Sequence, residues 1–141
     1  MNETPKQTIL IVEDEPDVST YLSTILDDHG YKVETASDGL EAMRKIKMLR
    51  PDLISLDISL PEKTGVKIYC ELKEDPHLSS IPVVMITGIQ QNFEFYIRSQ
   101  KKLPPPDGFL SKPFAVQELL KMVARLLSKE HIDYFQGNNP K

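Results

Sequence analysis

Leu53-Ile54-Ser55-Leu56-Asp57 is an apolar run that ends in a carboxylate and passes at once into the turn-like stretch Ser59-Leu60-Pro61-Glu62-Lys63-Thr64-Gly65. A charge at the end of a buried strand is costly unless it is paired or neutralised, so Asp57 calls for a cause. Three other strand-like runs end in the same manner. Ile9-Leu10-Ile11-Val12 meets Glu13-Asp14-Glu15, Val83-Val84-Met85-Ile86 meets Thr87-Gly88, and Phe109-Leu110-Ser111 meets Lys112-Pro113. With a short strand predicted from Tyr31 to Ala36, five strand-like segments alternate with amphipathic ones. That alternation predicts an α/β fold, a five-stranded parallel sheet with helices on both faces. Polar chemistry then gathers along one edge of the sheet.

The intervening segments carry helical signals of different strength. Pro16 suits a first-turn position, Val18, Tyr21, Leu22, Ile25 and Leu26 form a stripe, and Gly30 supplies a stop. Asp38 with Glu41 has the spacing of a capping box, followed by a face of Leu40, Met43, Ile46 and Leu49. Gly65 opens a third helix through Tyr69 and Leu72 that must stop before Asp75-Pro76. A fourth helical segment, with Phe93, Tyr96, Ile97 and Gln100 on one face, is cut off by Pro104-Pro105-Pro106. The last helix is the clearest, with Val116, Leu119, Leu120, Val123, Leu126 and Leu127 at helical spacing. After Glu130 the pattern fades, and 131–141 is read as a tail or the stump of a linker.

Composition narrows the function classes. A length of 141 residues with 40% hydrophobic content suits one domain. A net charge of −4, with no basic run longer than Lys101-Lys102, argues against direct nucleic-acid binding. No apolar stretch approaches the roughly 20 residues of a membrane span, and Met1 to Lys6 lacks the pattern of a signal peptide, so a cytoplasmic location is expected. Cys70 is the single cysteine, read as a structural thiol, and His29, His77 and His131 show no zinc spacing.

In an open parallel sheet, ligands bind beyond the carboxyl ends of the strands. Glu13, Asp14, Asp57, Thr87 and Lys112 all stand at such ends. If the strands that carry them are neighbours, three carboxylates converge, and each like-charge pair at about 4 Å costs about 4 kcal/mol at an effective dielectric near 20. Oxygen-only ligands favour Mg²⁺, which keeps several waters and can hold a phosphate oxygen. Lys112 adds a compact positive charge and Thr87 a hydroxyl. A carboxylate can act as nucleophile toward phosphorus, and Asp57 is the candidate.

These motifs together resemble the receiver domain of two-component response regulators. The resemblance rests on Ile9 to Glu15, on Asp57 with Pro61 and Gly65, on Pro82 to Gly88, and on Ser111-Lys112-Pro113-Phe114, and it spans about residues 7 to 128. It implies strand order 2-1-3-4-5, as in flavodoxin-like folds, and a receiver domain over 1–130. It implies Asp57 as phospho-acceptor, with Glu13, Asp14, Asp57 and the backbone carbonyl of Ser59 holding Mg²⁺. Thr87 and Lys112 would contact the phosphoryl group, Thr87 and Phe109 would form the switch, and Lys112-Pro113 would be cis. It implies a signalling switch that catalyses only its own phosphorylation and dephosphorylation. Its partners would be a histidine kinase or phosphotransfer protein and an unidentified output partner. A homodimer through the fourth helical segment, fifth strand and last helix is a further option.

Some residues depart from the pattern. Leu103-Pro104-Pro105-Pro106-Asp107-Gly108 stands where receivers usually carry a Gly-Ala pair, and Ala115 replaces a frequent capping hydroxyl. Apolar Ile89 beside the site predicts poor access for attacking water and a long-lived phosphoryl group. Three rival readings belong to different classes. A flavodoxin-like carrier would need a glycine-rich phosphate loop where Glu13-Asp14-Glu15-Pro16 stands. A phosphatase would need a second acid where Ser59 stands. The runner-up is a degenerate receiver acting as a phosphorylation-independent interaction module. No output domain follows residue 130 in this sequence, which leaves open a single-domain regulator or a part of a larger protein.

Overall fold

The computed structural model describes residues 5–58, 65–87 and 104–138, with backbone alone at residue 87 and over 129–138. Its elements run β1 (Thr8–Val12), α1 (Pro16–Asp28), β2 (Lys32–Ala36), α2 (Gly39–Leu49), β3 (Leu53–Asp57), α3 (Gly65–Glu74), β4 (Val83–Thr87), β5 (Gly108–Ser111) and α4 (Val116–Asn138). The strands form one parallel sheet in the order β2-β1-β3-β4-β5, as expected. The fourth helical segment with Phe93, Phe95 and Tyr96 lies outside the described residues.

The middle strands are mostly apolar on both sides because both faces of the sheet are covered. On one face Leu10, Val12, Ile54, Leu56, Val83 and Met85 pack against Ala42, Met43 and Ile46 of α2 and Ile68, Tyr69 and Leu72 of α3. On the other, Ile9, Ile11, Val84 and Ile86 meet Leu22 and Leu26 of α1 and Leu119, Val123 and Leu126 of α4. Alternate residues of each strand therefore serve opposite layers.

Local signals explain most boundaries. Pro16 occupies the first turn of α1, and Gly30 takes a φ of 93° just past its end. At α2 the Asp38 carboxylate accepts from Glu41 N at 2.8 Å, while Glu41 reaches back to Ser37 N at 2.9 Å, a capping box displaced by one residue. That backbone bond, together with Lys45, holds the Glu41 carboxyl below its usual range. At α4, Ala115 lacks a capping hydroxyl, but its N–H donates to Glu118 Oε1 at 3.2 Å, so half of the cap is retained.

The structure corrects two expectations, the facing of α2 and that of Tyr21, and adds one observation on the last helix. The buried side of α2 is Gly39, Ala42, Met43 and Ile46, while Leu40 and Leu49 are exposed. Tyr21 likewise leaves the α1 stripe for solvent. The last helix continues to Asn138, well past Glu130, because no glycine or proline interrupts it before Gly137.

The triple proline is tied down where it joins the sheet. Tyr69 Oη donates to the Pro104 carbonyl at 2.6 Å, and Asp107 Oδ2 accepts from Val83 N at 2.9 Å. Lys73 Nζ donates to the Ser79 carbonyl at 3.0 Å and stands 3.9 Å from Asp107 Oδ2. Burial pulls the Lys73 amine below its usual range, with Asp107 partly offsetting it, and burial raises the Tyr69 hydroxyl and the half-buried Cys70 thiol.

Candidate functional site

Sheet register brings the polar strand ends together. Val12 pairs with Leu56, Asp57 with Ile86, and Thr87 with Ser111, so the residues at or just beyond four adjacent strand ends share one rim. Strand pairing alone thus aligns Glu13, Asp57, Thr87 and Lys112 although the first and last are 99 residues apart.

Glu13, Asp14 and Asp57 each offer a carboxylate oxygen, and these atoms all lie within 4.8 Å of one another. Glu13 and Asp57 are buried at 3% and 4% exposure, whereas Asp14 faces solvent. Lys112 Nζ donates to Asp57 Oδ2 at 3.0 Å and stands 3.6 Å from Glu13 Oε1. The Lys112-Pro113 peptide is cis. One ammonium therefore serves two buried acids, with a third acid at the mouth.

The electrostatics follow from this crowding. Burial, and after it the negative charge of Asp57, pushes the Glu13 carboxyl up to about 7; the Glu15 N–H bond at 3.2 Å and Lys112 oppose the rise. For Lys112, burial favours loss of the proton, but the bond to Asp57 and the charges of Asp57, Glu13 and Glu15 prevail and hold it above its usual range. The rim is short of positive charge. Three hard oxygen donors, two of them buried and one open to water, fit a small divalent cation that retains part of its hydration shell.

The positions expected from sequence divide as follows. Glu13, Asp14, Asp57 and Lys112 converge. Thr87 ends β4 in register with them, but its side chain, like Ser59 and Ile89, lies outside the described residues. Phe109 is half-buried against the core layer of α2 and α3, and it borders a cleft of about 430 Å³ with Met122, Lys121 and Arg125 of α4.

Two features of the rim escape a reading of sequence. Gly65, read there as a helix opener, sits so close to β3 that a Cβ would collide with the Asp57 carbonyl oxygen and Ile58 Cα, and its N–H donates to the Ile58 carbonyl at 3.1 Å. Its place eight residues after Asp57 was the only signal. Beside the acids, a cleft of about 320 Å³ is lined by Ser19, Thr35, Ser37 and Glu41 along with Glu13 and Asp14. It exists because β2 lies next to β1, a neighbour relation that no local pattern encodes.

Comparison with known proteins agrees with this geometry. The sequence model of the family described as the response regulator receiver domain matches residues 9–124. The DNA-binding dual master transcriptional regulator RpaA of Synechocystis is 36% identical over 121 residues, which cover 86% of this chain and 49% of the relative. This chain therefore spans about half of that regulator. Protein Rrf1 of Nitratidesulfovibrio vulgaris is 31% identical over 120 residues, 85% of this chain and 82% of the relative. Among solved structures, the signal receiver domain of a histidine kinase from Syntrophus aciditrophicus superposes with a TM-score of 0.78 at 37% identity, covering 87% of this chain and 91% of that one.

Proposed function

This chain belongs to the response-regulator receiver family of two-component signalling, and from that premise we propose that it is a phosphorylation-dependent switch with Asp57 as its phospho-acceptor. The observation that carries the reading is the convergence of the Glu13, Asp14 and Asp57 oxygens within 4.8 Å, with Lys112 Nζ at 3.0 Å from Asp57. Phosphoryl transfer needs a positioned nucleophile and fixed positive charge around the phosphoryl oxygens, and little else from the protein. The donor is a phosphohistidine of a kinase or phosphotransfer protein, or a small acyl phosphate.

An oxygen of the Asp57 carboxylate attacks phosphorus as the phosphorus–nitrogen bond of the donor breaks. The new acyl phosphate stays on Asp57, and the departing imidazole keeps the electron pair and takes up a proton. Lys112, already beside Asp57, donates to a phosphoryl oxygen, and the Thr87 hydroxyl donates to another. Glu13, Asp14, Asp57 and the Ser59 carbonyl would hold Mg²⁺, which when bound supplies neutralising charge at the phosphoryl group.

Phosphorylation exchanges one carboxylate for a group of roughly −1.5 to −2 charge with three acceptor oxygens. Thr87 moves toward that group, Phe109 turns into the space it leaves, and the surface of β5, α4 and the 88–103 segment changes for an output partner. Intact-mass measurement after acetyl phosphate with Mg²⁺ tests the chemistry: wild type gains one phosphoryl group, and Asp57→Asn gains none. An unmodified wild type, or equal modification of Asp57→Asn, would defeat the assignment.

A further inference from the structure

Among the described residues, the large apolar side chains that stand exposed are Tyr21 at 56%, Leu40 at 63%, Met48 at 62% and Leu49 at 39%. All belong to α1 and α2. These helices cover opposite faces of the sheet beside the β2 edge, and the rim chemistry uses none of the four side chains.

The two helices carry opposite charge. On α2, Leu40, Arg44, Lys47 and Met48 fall at i, i+4, i+7 and i+8 and form one exposed stripe. The single acid of α2, Glu41, is engaged by Ser37 and Lys45, which leaves that stripe basic. On α1, Asp17, Tyr21, Thr24 and Asp28 are spaced i, i+4, i+7 and i+11 and are all exposed, and the helix contains no lysine or arginine. One stripe is acidic at both ends of an aromatic centre, and the other is basic at its centre between two long apolar side chains.

We propose that two copies of this chain associate across the β2 edge, α1 of each seated on α2 of the other. A two-fold axis in the plane of the sheet, running alongside β2, exchanges the faces of the sheet and makes both contacts at once, as an isologous dimer requires. A second copy is the occupant because the chain itself carries both complementary surfaces. Joining of the two β2 strands is opposed by Lys45, whose Nζ donates to the Thr35 carbonyl at 2.6 Å and occupies part of the edge. The contact is therefore between helices, and it is separate from the surface of β5 and α4.

The test is a charge exchange read by sedimentation velocity, with far-UV circular dichroism as a check on folding. Wild type shows a concentration-dependent dimer that weakens as salt is raised. Asp17→Lys with Asp28→Lys, and separately Arg44→Glu with Lys47→Glu, each weaken self-association roughly 100-fold. An equimolar mixture of the two variants restores the dimer, because each then offers what the other lacks. If a charge-exchanged chain does not fold, Tyr21→Ser with Met48→Ser takes its place and weakens the dimer about 10-fold. A wild type that stays monomeric throughout, variants that dimerise like wild type, or a mixture that remains monomeric would each overturn the proposal. So would a monomeric wild type whose α2 instead captures an acidic amphipathic peptide.

Discussion

Glu13 offers the most direct test of the rim's electrostatics. Its carboxyl rises from 4.5 to about 7 because it is buried and faces the charge of Asp57. The folded chain therefore binds more protons than the unfolded chain between those values, and stability falls as pH rises through that window. At about 1.36 kcal/mol per pKa unit the full shift would be about 3 kcal/mol, and solvent at the rim reduces it to roughly 1–2 kcal/mol. Glu13→Gln removes the proton and keeps the shape. In EDTA, urea denaturation should find Glu13→Gln about as stable as wild type near pH 4.5, and more stable by about 1–2 kcal/mol above pH 7. The difference between the two chains isolates Glu13 from the other acids. Mg²⁺ should reverse the order above pH 7, since it stabilises the wild-type rim and has one ligand fewer in the variant. Its apparent affinity for wild type should fall toward tenfold per pH unit below about 7, as Glu13 takes up a proton. A stability difference that stays constant across pH, with or without Mg²⁺, would refute the reasoning.

Two further substitutions probe the rim's other parts. Lys112→Met removes the ammonium at 3.0 Å from Asp57 and 3.6 Å from Glu13; the rate of modification by acetyl phosphate should drop at least about tenfold, and an unchanged rate in single-turnover mass measurements would count against a role for Lys112. Gly65→Ala places a methyl against the backbone of Asp57 and Ile58; a loss of roughly 3 kcal/mol or more in urea denaturation is expected, and a loss below about 1 kcal/mol would show that α3 can shift away from β3 at little cost.

How much of this was legible in the sequence depended on whether the determining interaction is local. Strand identity, helix starts at Pro16 and Asp38, and the stop at Gly30 follow from residues within a few positions of each other, and the structure retains them. The facing of α2 did not follow. Leu40 and Leu49 fit an apolar face by period, yet the side that packs inward is Gly39, Ala42, Met43 and Ile46, and Leu40 and Leu49 stand in solvent. Period finds a helix, but the closeness of its neighbour selects the side it buries. The extension of α4 to Asn138 is the reverse case, in which the helix runs on after the stripe that ends at Leu127, through residues of mostly low helix propensity.

The rim was legible for a different reason. No pair among Glu13, Asp57 and Lys112 is near in sequence, but parallel pairing leaves little freedom once each run is known to be a strand. A slip of one residue in a strand would exchange the side chains it gives to the two layers, whose shapes differ, and would move its polar end along the rim. The register that buries Val12, Leu56 and Ile86 also sets Glu13 beside Asp57 and carries β5 to its end at Lys112. Core packing thus fixes the geometry of the charged site, and the cost of holding Glu13 and Asp57 together is borne by the apolar layers beneath them. Because those layers lock the register, two buried acids can be kept near one lysine with a deficit of positive charge, which is the condition a phosphoryl site needs if a cation is to matter. Gly65 belongs to the same logic: the start of α3 can approach the backbone of Asp57 and Ile58 only where no side chain intervenes, so a glycine is what lets that helix pack against the end of β3.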